Sequence, residues 1–89
     1  MRKQKELTAP KVEYYFYGKT PVMILRDQQH ATVKAFQIST QRFVADFSFF
    51  GLIMFDKDNL ARETNRQDFE KAVKQYGGND AILRAAISI

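Results

Sequence analysis

Lys11 to Tyr17 alternates strictly, with Val12, Tyr14 and Phe16 on one side and Glu13, Tyr15 and Tyr17 on the other. A period of two over such a run is the signature of a β-strand, and here both faces carry aromatic rings. Gly18-Lys19-Thr20-Pro21 breaks the pattern as a turn. Val22-Met23-Ile24-Leu25 then follows without alternation, as expected of a strand covered on both faces. These fifteen or so positions commit the chain to a sheet. Thr32 to Ile38 reads as a third strand, its alternation slipping between Ala35 and Phe36 as a bulge would make it.

Ser39 to Phe55 supports two patterns. Phe43, Ala45, Phe47, Phe49, Ile53 and Phe55 share parity and argue for one long strand interrupted at Gly51. Phe43, Phe47, Phe50 and Met54 also fall at helical spacing, with Ser39 as a possible cap. The Phe and β-branched content favours the strand. Asp56-Lys57-Asp58-Asn59 opens like a calcium loop, but Leu60, Ala61 and Gln67 occupy the positions that need an oxygen ligand, a glycine and a glutamate. It reads instead as a solvated turn.

Thr64 to Tyr76 has the full grammar of a helix. Thr64 and Gln67 match a capping box, Asp68 stands early, and Lys71 and Lys74 stand late, as the helix dipole prefers. Phe69, Ala72, Val73 and Tyr76 form the apolar stripe, Glu70 and Lys74 are spaced to pair, and Gly77-Gly78 stops the helix. Asn79 to Ile89 fits a short helix capped by Asn79, or a closing strand through Leu83, Ala85, Ile87 and Ile89; the helix is preferred. The expected fold is α+β: a small antiparallel sheet of three to four strands with one main C-terminal helix packed on it. Residues 1–10 show no apolar periodicity and are expected to form a flexible basic arm ahead of a single domain at 11–89.

Composition removes several chemistries. The 89 residues include no cysteine, which excludes disulfides, thiolate metal sites and cysteine nucleophiles, and a reducing, cytoplasmic setting is the expectation. One histidine, His30, cannot make a two-histidine metal motif. Asp27 could orient it as a base, yet Ser39, Thr40 and Ser48 stand in no nucleophile signature. Gly18, Gly51, Gly77 and Gly78 match no phosphate-binding glycine spacing. The charged start Met1 to Glu6 is followed by Leu7 to Tyr15, not by the apolar run of a signal peptide. The longest apolar stretch, Phe49 to Phe55, is far below the roughly 20 residues that span a bilayer. No catalytic residue, cofactor, metal or membrane partner is therefore expected.

What remains is charge beside aromatics. The net charge of +4 lies wholly in residues 1–34, where seven basic side chains face three acidic ones; residues 35–89 carry seven of each. The expected binding face is Arg2, Lys3, Lys5, Lys11, Tyr15, Tyr17 and Lys19. The first expectation is a non-enzymatic binding or regulatory protein that occupies the surface of a protein or nucleoprotein partner, of the kind that phage or mobile-element accessory and inhibitor proteins provide. The alternative is direct binding of single-stranded DNA or RNA, with phosphates on the arm and bases stacked on the tyrosines. A homodimer through the Phe-rich segment is a further expectation.

Overall fold

A computed structural model describes residues 11–26 and 30–87. It is an α+β domain built on one five-stranded antiparallel sheet with three helices. The strands are β1 (Lys11–Tyr17), β2 (Thr20–Arg26), β3 (Ala31–Gln37), β4 (Arg42–Ala45) and β5 (Ala61–Thr64). The helices are α1 (Ser48–Phe55), α2 (Arg66–Gln75) and α3 (Asp80–Ile87). Across the sheet the strands run β4-β3-β2-β1-β5. The chain first meanders from β1 to β4. It then crosses back over one face to lay β5 against the free edge of β1.

β1 forms as the alternation predicts, joined to β2 by the two residues Gly18 and Lys19. β2 occupies the centre, and its unalternating run is explained by burial on both sides: Val22 and Ile24 face one layer, Met23 and Leu25 the other, all at 1% exposure or less. β3 carries no bulge, contrary to expectation, because its pairing with β2 and with β4 runs through without a break. Ala35 and Phe36 are both buried because β3, like β2, is covered on both faces. Double burial mimics a slipped register in sequence.

Ser39 to Phe55 is not one long strand. β4 ends at Ala45, and α1 begins two residues after Asp46, whose carboxylate accepts the Ser48 backbone amide at 3.1 Å. The next difference is β5. The sequence pattern assigns no element to Ala61, Arg62 and Glu63 and starts the helix at Thr64; Ala61 to Thr64 is the fifth strand, paired to β1 from Tyr14↔Thr64 to Tyr17↔Ala61. With Thr64 in that ladder, the helix cap moves one residue on. Asn65 is the N-cap of α2, accepting from the Asp68 amide at 2.8 Å, so the expected Thr64–Gln67 box does not form. The expected Glu70–Lys74 pair is also replaced: Arg66 takes Glu70 at 2.9 Å, and Lys74 reaches Asp80 at 2.9 Å. α3 forms as expected, with Asn79 accepting from the Ile82 amide at 3.0 Å.

Two apolar layers hold these elements. On one face, Met23, Leu25 and Phe36 pack against Phe69 and Val73 of α2 and Leu83 and Ala86 of α3. Phe69 is its centre, fully buried, with the rings of Tyr14, Phe43 and Phe16 at 4.9, 6.0 and 6.3 Å. On the other face, Val22, Ile24, Val33 and Ala35 meet Ile53 of α1, with Phe49, Phe50, Tyr15 and Tyr17 around them. That second face is covered by a single helix. Eight residues give α1 a length of about 12 Å, whereas the edge strands it bridges lie roughly 19 Å apart. The polar turn at Asp56 to Asn59 completes the crossing. Among the described residues no helix is long and apolar enough to cross a membrane.

Candidate protein-contact surface

The expected binding face is only partly assembled. Arg2, Lys3 and Lys5 lie outside the described residues. Lys11, Tyr15 and Tyr17 share one face of β1, and Lys11 and Lys19 are both exposed. Lys19 sits in the turn at the far end of the strand, so it stands roughly 20 Å or more from Lys11. The tyrosines are half-buried. Tyr17 meets Phe49 edge-on at 5.8 Å. The Tyr15 hydroxyl donates to Glu13 Oε1 at 3.2 Å, and Glu13 Oε2 accepts Arg26 Nε at 2.9 Å. Arg26 in turn lies 5.4 Å over the Phe50 ring. Burial, and then the carboxylates of Glu13 and Glu63, push the Tyr15 phenol above its ordinary pKa.

Other candidates resolve into structure. His30 is exposed at the start of β3. Asp56 caps α1 in a left-handed conformation, and its carboxylate accepts the amides of Leu60 and Ala61 at 2.8 and 3.1 Å. Its carboxylate serves the turn. On the Phe69 side, a cleft of about 580 Å³ opens between β4 and α3, lined by Lys34, Gln41, Arg42, Phe43, Asn79 and Ile82 among others. Lys34 Nζ donates to the Ala86 carbonyl at 2.6 Å beside it. Sequence spacing gave no hint of this cleft, since it joins residues more than forty positions apart.

Among the described residues the most exposed apolar surface is the outward side of α1. No residue of Ser48-Phe-Phe-Gly-Leu-Ile-Met-Phe55 is charged, so wherever the helix faces water it shows carbon. Phe55 is 81% exposed, Phe47 just before the helix 59%, and Leu52 and Met54 43% each. At about 200 Å² for a fully exposed side chain of this size, these four present roughly 450 Å². That lies in the middle of the range for the largest apolar patch on a soluble monomer, about 300–600 Å², and such patches are often functional. The signal was present in the sequence as an apolar segment with no polar face. Reading the segment as a strand concealed which of its side chains point outward.

Comparison with protein-family models finds no match, and comparison with curated proteins and with solved structures finds none either.

Proposed function

We propose that the protein acts by contact rather than by chemistry: a small binding or regulatory protein that works by laying the outward face of α1 on another protein. The observation that carries this reading is the exposure of Phe55, Phe47, Leu52 and Met54 along a helix with no charged residue. A helix that is apolar all round is ordinarily buried on every side, so an uncovered face on one points to a partner. Aromatic anchors flanked by aliphatic contacts are the pattern of an interface centre, whereas a nucleic-acid surface needs cations at that place. Direct binding of single strands on the β1 face draws on Lys11 and Lys19, which stand at opposite ends of the strand, with Glu63 and the Glu13–Arg26 ion pair beside Tyr15.

Site-specific photo-crosslinking tests it. A photoreactive phenylalanine analogue placed at position 55, in the cell that makes the protein, is expected to give a protein adduct. The same analogue at exposed position 71 of α2 is expected to give none. If position 55 is silent while the purified protein binds labelled oligonucleotides with a steep salt dependence, the contact reading is wrong and the nucleic-acid one replaces it.

A further inference from the structure

Gly51 stands in the middle of α1, and nothing among the described residues asks for a glycine there. It is not among the residues with positive φ, and a Cβ at this position would meet no atom within 4 Å. Glycine is the poorest helix former after proline, so the position carries a cost without an internal return. Its place on the helix supplies the reason. Gly51 and Phe55 lie two residues before and after buried Ile53, each about 160° round the helix from it. They mark the centre line of the outward face. A glycine on such a line lets a second backbone come close.

The pattern along that line is symmetric. Phe47 and Phe55 stand four residues before and after Gly51, giving Phe-x-x-x-Gly-x-x-x-Phe. In a two-fold contact residue i meets j and j meets i, so an antiparallel crossing at Gly51 sets phenylalanine against phenylalanine at both ends. Resting on the reading of this face as the contact surface, we infer that its occupant is a second copy of the chain, with the two α1 helices packed antiparallel and crossing at Gly51. In that arrangement Phe47 of each copy meets Phe55 of the other, twice over. The Phe47 ring is already held for the contact, stacked on Phe50 at 5.1 Å with the planes 9° apart. Beside Phe55 a cleft of about 280 Å³, lined by Tyr17, Gly51, Leu52 and the Asp56–Asp58 turn, leaves room for the incoming ring.

The antiparallel pairing opposes the two helix dipoles. Two patches of roughly 450 Å² bury at most about 900 Å² together, which places the contact among weak, transient interfaces. The pairing uses only the α1 side of the sheet. The cleft between β4 and α3 opens on the other side, so a two-fold pair presents it twice.

Sedimentation equilibrium of the purified full chain, from about 1 µM to about 1 mM, reads the association directly. The wild-type protein is expected to pass from monomer to dimer within this concentration range, as a weak, reversible contact does. Phe55→Asp, and separately Leu52→Asp, are expected to weaken it at least ~100-fold, since each change strikes both halves of the contact. Both residues are exposed in the monomer, and an unchanged far-UV circular dichroism spectrum verifies that each variant folds. A wild-type protein that stays monomeric throughout, or folded variants that dimerise like wild type, overturns the inference. In the crosslinking experiment the adduct at position 55 should have twice the monomer mass. An adduct with a different protein, together with a monomeric purified chain, refutes the second copy and leaves the contact surface standing. No adduct at all and no dimer refutes both.

Discussion

Replacing Gly51 by alanine separates what this residue does for the monomer from what it does for the contact. In an isolated molecule the added methyl enters open space, and the backbone conformation suits any L-residue. Alanine exceeds glycine in helix propensity by about 0.8–1.0 kcal/mol, so the variant monomer should be more stable by about that much. For a domain of this size the gain corresponds to a rise in Tm of roughly 4–8 °C. In the two-fold pair the same methyl lies where the helix axes cross, and two of them meet there. Holding the helices apart loosens the Phe47–Phe55 contacts on both sides, and self-association should fall at least about tenfold, or ~1.4 kcal/mol. The two readouts therefore move in opposite directions. Denaturant unfolding at sub-micromolar concentration gives the first, and sedimentation gives the second. A variant that is less stable as a monomer would show that Gly51 has an internal role. One that is more stable yet associates as wild type would remove Gly51 from the crossing point.

Three further outcomes test the fold itself. Asn65→Ala should cost about 1 kcal/mol by removing the α2 cap, with Thr64→Ala costing less, and urea midpoints distinguish the two; a larger loss at Thr64 would restore the capping box. Phe69→Ala should remove about 3–5 kcal/mol, against almost nothing for exposed Phe47→Ala measured on the monomer. The Tyr15 phenol is held above its ordinary value, chiefly by burial and then by Glu13 and Glu63, so the folded state favours its neutral form. Its contribution is complete below about pH 10, the unfolded value, and is lost as pH rises through the folded value. Denaturation of wild type and Tyr15→Phe across pH 9 to 11 should show wild type losing stability faster; parallel curves would contradict the assignment.

The parts of the fold that sequence reveals are those whose pattern arises within a few residues. β1 alternates because one period-two segment faces two layers, and its bounds, Lys11–Tyr17, are those of the alternation. The Asn79 cap and the stripe of Phe69 and Val73 are equally local. β5 is different. Ala-Arg-Glu-Thr has no alternation and becomes a strand only because the crossover delivers it to the open edge of β1, a pairing across more than forty residues. The cap of α2 shifts from Thr64 to Asn65 for the same reason. α1 was hidden by its own composition: with apolar residues on every side it lacks the periodicity that distinguishes a helix from a buried strand.

The contact surface follows the same division. The aromatic content of Ser39 to Phe55 suggested association through that segment, but which rings point outward depends on the helical phase, set by Ile53 against the sheet. The face expected on β1 was legible only in part. Alternation placed Tyr15 and Tyr17 correctly, yet it gave no sign that α1 would lie over Tyr17 or that Glu63 would arrive beside Tyr15 on β5.

The arrangement of α1 against its copy can be measured directly, because a chain with no native cysteine takes a single spin label cleanly. With Lys57→Cys labelled, antiparallel helices crossing at Gly51 place the two sites about 18 Å apart along the axis and about 8–10 Å across it. Pulsed dipolar spectroscopy at a concentration that populates the dimer should then give a distribution centred near 20 Å, broadened by the label. A distribution confined below about 12 Å would mean parallel helices, one beyond about 35 Å would put the contact elsewhere on the molecule, and the absence of dipolar coupling would mean that the outward face of α1 does not join two copies.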